Sequence, residues 1–186
     1  YLSLLKKGVA SISLSPTRLP SIGAETGGAE VFYFKDPDGH PIQLISFAPG
    51  QGDAKWQTHL GQLFLGIDNS AITVKSTQKS LQFYHSLLGL NISATHFYQG
   101  WQEERLSQIK HPKIQGTVLQ SAYGPKIELL QYIEPLSGKT MRPNTKPNDL
   151  WSTFTQLSTT NIEHTHLKML QAKAFLLSSV PVNIQN

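Results

Sequence analysis

The chain contains no cysteine, which excludes disulfide frameworks, thiolate nucleophiles and zinc–thiolate centres. That absence accords with a reducing compartment, and the cytoplasm is the expected location. Charge is sparse, at 15% of residues, and no apolar run approaches the ~20 residues of a membrane span, so no spanning segment is expected. The opening YLSLLKKGV has neither Met nor the apolar core of a signal peptide. What charge there is leans basic, with 16 Lys and Arg against 12 Asp and Glu, net +4, and a sequence pI near 9.3. Those cations are scattered, and the densest cluster is Lys6-Lys7. Without a basic stripe there is nothing to track a phosphate backbone, so no nucleic-acid partner is expected. The 186 residues, 39% of them hydrophobic, suffice for one domain or two small ones with a sizeable core.

Turn residues and apolar periodicity divide the chain. LSLLKK reads as the end of a helix stopped by Gly8, VASISLS (9–15) alternates like a strand, and 16–28 is a Pro/Gly-rich loop. EVFYF and PIQLISF form two strands around the turn KDPDGH, and 48–62 reads as a linker. A strand over 64–74 precedes STQKSLQFYHSLLGL, where Ser76 is an N-cap, Leu81, Tyr84, Leu87 and Leu88 recur at helical spacing, and Gly89 ends the helix. Strands are expected near 91–98, 114–122 and 126–133, so the middle unit runs β-α-β-β-β. LWSTFTQLS and AFLLSSVPV read as strands on either side of a helix near 161–172.

The most informative feature is repetition. GHPIQLISF (39–47) matches GPKIELLQY (124–132), with a turn glycine four residues before a polar residue set between Ile and Leu: Gln43 in one, Glu128 in the other. GIDNSAITV (66–74) matches DLWSTFTQL (149–157), which places Asn69 opposite Ser152, and each is followed by a helix of similar length. The chain therefore divides into the rear half of one module, one whole module and the front half of another. The expected boundaries are 1–50, a linker 51–65, a complete module 66–135, a linker 136–147, and 148–186.

The quoted segments also resemble a known family. DPDGHPIQL is similar to the closing strand of the vicinal oxygen chelate superfamily, which includes glyoxalases, bleomycin-resistance proteins and extradiol dioxygenases. GIDNSAITVKSTQKSLQFYHSLLGL resembles its opening strand and helix, usually written with His where Asn69 stands. The resemblance covers nearly the whole chain and points to multi-module bacterial members, so these residues are expected to be the central part of a longer protein. It implies an α+β fold of repeated β-α-β-β-β modules whose mixed sheets form cups, with modules pairing within the chain or in a homodimer. Metal ligands in that family come from the first and last strand of each module.

On that mapping the ligand-equivalent positions are Gln43, Asn69, Glu128 and Ser152. Only Glu128 is a charged ligand. Amide oxygens are poor donors to iron, manganese, nickel or zinc, and the Ser152 hydroxyl would have to lose a tightly held proton. The expectation is therefore an eroded metal site and no cofactor. The cup would bind a small molecule, or serve within a protein assembly, without catalysis. The alternative is a divalent-metal-dependent lyase or dioxygenase with Glu128 as ligand or general base. Gln43, isolated among apolar neighbours, is expected to face the polar cavity.

Other conspicuous residues have plainer readings. Asp36 and Asp38 cap their own turn, His40 is a hydrogen-bonding residue at a strand end, and His85, His164 and His166 are exposed on helices. Glu103, Glu104 and Arg105 form a solvated face, with a minor lining role implied by the resemblance. Phe97, Tyr98 and Trp101 are core packing or the wall of an apolar pocket.

Overall fold

The structure is a computed structural model that describes residues 1–20, 26–58 and 61–183. Among the described residues it is a mixed α+β arrangement with two sheets. The first has three antiparallel strands, β1 (Thr17–Arg18), β2 (Glu30–Lys35) and β3 (Pro41–Ser46), in the order β1-β2-β3. The second has four, β4 (Asn69–Thr73), β5 (Asn91–Gln99), β6 (Lys113–Gln120) and β7 (Lys126–Glu134), in the order β4-β7-β6-β5. Only β4 and β7 run parallel. Helices α1 (Leu2–Lys6), α2 (Thr77–Leu81), α3 (Gly100–Ser107) and α4 (Ile162–Gln171) complete the set, with a 3-10 turn over Ala54–Gln57.

The helix after β4 begins as the sequence indicates. Ser76 accepts a hydrogen bond from the Lys79 amide, and Gly89, at φ 80°, follows the end. Between Gln82 and Leu87 the helix widens to a π-helical turn, with the Leu88 amide donating to the Phe83 carbonyl five residues back. Its inward residues Leu81 and Tyr84 pack on Leu90, Leu119, Ile127 and Leu129, with Ile72 and Val74 beside them. This is the core of the second sheet. Side chains alternate along β7, so Ile127 and Leu129 lie under α2 while Glu128 faces the other way.

Several expected elements differ. The 64–74 strand starts only at Asn69; the preceding Phe64 and Ile67 are exposed. Residues 9–15 make a single bridge, Ser11 to Phe34, and the Ser13 hydroxyl takes over part of the pairing by accepting from the Tyr33 amide. Residues 91–99 and 113–120 are strands, but α3 intervenes between them, placing 100–107 on a helix. No strand forms over 149–157 or 174–182, although α4 lies between them. A strand needs a neighbour for its amides and carbonyls, and among the described residues those segments have no strand beside them.

α3 links the two sheets. Its Leu106 carbonyl accepts from the Ser13 hydroxyl at 2.9 Å, Arg105 donates to the Ser15 hydroxyl at 2.9 Å, and the helix also packs against β1, β2 and β5. Leu129, fully buried at the centre of the core, is the most sensitive point of the second sheet. Replacing it with Ala removes three carbons and leaves a cavity, so Leu129→Ala is expected to cost about 2–5 kcal/mol in urea denaturation. A loss below 1 kcal/mol would show that this core does not hold the sheet.

Candidate functional site

On the face of the second sheet opposite α2, the register brings polar side chains from three strands, β4, β5 and β7, together across a glycine of β6. Glu128 pairs with Ala71 on one side and Val118 on the other, and His96 pairs with Gly116. Ala94, His96 and Tyr98 alternate along β5 and so share this face. The Glu128 carboxylate is only 5% exposed, and an ion at that depth needs partners. It has three. Oε1 accepts from the Tyr98 hydroxyl at 2.7 Å and lies 2.9 Å from His96 Nε2, while Oε2 accepts from Asn69 Nδ2 at 3.1 Å. His96 Nε2 is also 2.5 Å from the Tyr98 oxygen, and the two rings meet edge to face.

Gly116 makes this convergence feasible. A Cβ there would stand 2.6 Å from Glu128 Oε1, 2.8 Å from His96 Nε2 and 2.9 Å from a Tyr98 ring carbon, all inside contact distance. The cluster occupies space that any other residue would fill. Beside it is a cavity of about 30 Å³, lined on its polar side by Thr26, Asp68, Asn69, Lys126 and Glu128. That volume admits roughly two water molecules. A wider hollow of about 310 Å³ lies over Lys75, Ser76, Lys79 and Ser80, away from these groups.

A second acid lies nearby. Glu103 on α3 is 4% exposed, and burial, reinforced by the negative charge of Glu128 and opposed by a hydrogen bond from Ser107, pushes its pKa up to about 7. The phenols of Tyr33, Tyr98 and Tyr132 surround the two carboxyls. Desolvation first, and then the neighbouring carboxylates, raise all three well above the ordinary tyrosine value. The phenols therefore stay protonated; Tyr98 donates to Glu128, and the Tyr33 oxygen accepts from the Gln43 amide.

The four ligand-equivalent positions do not converge. Asn69 and Glu128 are hydrogen-bonded. Gln43 lies on the first sheet, exposed, with its amide 3.4 Å from the Tyr33 hydroxyl. Ser152 lies in an irregular segment, its amide bonded to the Asp149 carbonyl. Among the described residues, the group of three acidic or imidazole side chains with converging ligand atoms is Asp36, Asp38 and His40, within 4.8 Å of one another. That group is a turn lock: Asp36 accepts from the Asp38 and His40 amides and, at 2.8 Å, faces His40 Nδ1.

The plainer readings fare unevenly. Phe97 and Trp101 are exposed rather than core, whereas Tyr98 enters the polar cluster. Glu103 is buried, not part of a solvated face, because α3 turns it towards the inter-sheet region. His85 is exposed, with Nδ1 2.7 Å from the Leu90 carbonyl. His164 is exposed, but His166 is half-buried. His96 and Gly116 were not singled out by sequence, although the alternation His96-x-Tyr98 on a strand was the available signal.

No family model matches the chain, and no curated protein matches it. Among solved structures it is similar to a glyoxalase family protein from Bacillus cereus, at 19% identity and a TM-score of 0.56, covering 68% of this chain and 84% of that one. The chain has the glyoxalase, or vicinal oxygen chelate, fold. A variant of glyoxalase I from Zea mays also matches, at 17% identity and a TM-score of 0.45, over 72% of this chain and 38% of that one.

Two outcomes are expected from this geometry. Gly116→Ala should destabilise the chain by about 1–3 kcal/mol, read by urea denaturation, because the added methyl forces Glu128, His96 and Tyr98 apart. The second concerns pH. Glu103 binds its proton more tightly when folded, so its destabilising effect is absent below about pH 4.5, grows as pH rises towards 7, and is constant above that. Stability should therefore fall between those limits by at most about 3 kcal/mol, and Glu103→Gln should flatten that slope in denaturation series at pH 5 and 8.

Proposed function

We propose that this glyoxalase-fold chain binds the amine or hydroxyl head group of a small molecule at Glu128, without a first-row metal ion. The supporting observation is that both oxygens of the Glu128 carboxylate are already engaged: Oε1 accepts from Tyr98 and lies 2.9 Å from His96 Nε2, and Oε2 accepts from Asn69. A metal ligand must direct its lone pairs at the ion, and Asn69 turns an N–H rather than an oxygen towards Glu128. The donor set does not fit the metal that the fold family implies. A hydrogen-bond donor on a ligand suits it better, because a carboxylate has about four acceptor sites and three are occupied. The cavity's size matches a head group of one or two heavy atoms, with the rest of the ligand resting on the rim at Thr26, Asp68 and Lys126.

The competing reading is a metal-dependent lyase or dioxygenase, in which Glu128 serves as ligand or base. Elemental analysis separates the two. Near-stoichiometric iron, nickel, manganese or zinc that disappears in Glu128→Gln would overturn the proposal. The positive test is an NMR titration with ethanolamine. Shifts of the Gly116 and Glu128 amides that vanish in Glu128→Gln are expected, and their absence at saturating probe would count against ligand binding.

A further inference from the structure

β7 gives the small cavity two charged residues, Lys126 and Glu128. They stand two apart on the strand, on the same face and about 6.6 Å from each other along it. Glu128 is buried and Lys126 half-buried, so the cavity holds an anion at its deep end and a cation nearer solvent. Beside Glu128 the wall is apolar. Glu128 pairs across the sheet with Val118, Val118 pairs with Ala94, and both line the cavity.

We propose that the ligand is a small α-amino acid in its zwitterionic form, its ammonium held at Glu128 and its carboxylate at Lys126. The inference rests on the reading of Glu128 as a head-group site and adds the other end of the molecule. The one carbon between the two charges lies against Val118 and Ala94, which offer it no polar group. The flexible lysine stem closes the remaining distance to the carboxylate.

Three features favour a dipolar ligand. Asn69 stands opposite Lys126 in the register and turns Nδ2 to Glu128 Oε2, so its amide oxygen points away from the carboxylate. An ammonium has three N–H donors and can use both that oxygen and the remaining acceptor site of Glu128, whereas a hydroxyl has one. Among the described lining residues Lys126 is the one lysine or arginine, which suits a monoanion rather than a doubly charged phosphate. Its three donors let it hold a carboxylate while keeping its contact within the protein. Asp68, the other acid of the lining, does not compete for the ammonium on equal terms, because its Oδ1 already accepts from the Trp56 indole N–H at 2.9 Å. The cavity's about 30 Å³ takes the amine and its carbon and leaves the carboxylate at the rim, beside Thr26.

Glycine and glycinamide test this, since both carry the ammonium and only glycine carries the carboxylate. Each is titrated as its ammonium form into the isotope-labelled chain and read at the Gly116 and Glu128 amides by NMR. Glycine is expected to bind about tenfold more tightly, the worth of one charge-assisted hydrogen bond. Lys126→Met should remove that preference, and Lys126→Arg, which keeps the charge, should retain it. Equal binding of the two probes by the unmodified chain would overturn the inference, as would a preference that survives Lys126→Met. Binding of ethanolamine without binding of glycine would overturn it too, and would leave the head-group reading of Glu128 standing. No shift with any of the three probes would remove both.

Discussion

The burial of the Glu128 carboxylate constrains the rest of the site. An ion 5% exposed must be compensated locally, and every neighbouring choice follows from that need. His96 and Tyr98 come from one adjacent region of the sheet and Asn69 from another, so the hydrogen bonds tie β4, β5 and β7 together. Gly116 on β6 contributes by having no side chain, since anything larger would occupy the position of the carboxylate and its partners. The opposite face of the same strands is conventional, with Ile127 and Leu129 under α2. One strand thus carries an apolar core on one side and a hydrogen-bonded charge on the other.

That charge also reaches the first sheet. Glu103 on α3 feels Glu128, and Tyr33 on β2 feels both, so the inter-sheet region is a cluster of two carboxyls and three phenols rather than an apolar seam. α3 fixes the geometry through Ser13 and Ser15, which meet its last turn. Raising the Glu103 pKa towards neutrality lessens its repulsion of Glu128, since burial and that neighbouring charge both favour its uncharged form. The site and the contact between sheets therefore share one set of groups. A change in protonation at Glu103 is felt in both.

The ligand-equivalent positions show how much of a site depends on partners rather than position. Asn69 and Glu128 sit on adjacent strands and meet. Gln43 and Ser152 belong to the first sheet and to a segment with no sheet, and they do not meet anything comparable. A repeat in sequence becomes a repeat in structure only where both halves of the module are present to pair. The polar isolation of Gln43 among apolar residues is resolved by exposure at an open edge and a weak contact with Tyr33, not by burial in a cavity.

The sequence by itself determined the local rules: Ser76 caps a helix, Gly89 and Gly124 take positive φ, and period-two alternation sends Glu128 away from Leu129. It also carried the β-α-β-β-β succession along the chain, whereas the parallel pairing of β4 with β7 joins segments more than fifty residues apart. Tertiary structure alone decided three things. It decided which donors meet Glu128, since His96 lies 32 residues away and Asn69 59 residues away. It put 100–107 on a helix with Glu103 buried, because only the presence of the first sheet makes that face an interior. It left 149–157 unpaired, because strand propensity fixes no strand until another edge satisfies its backbone.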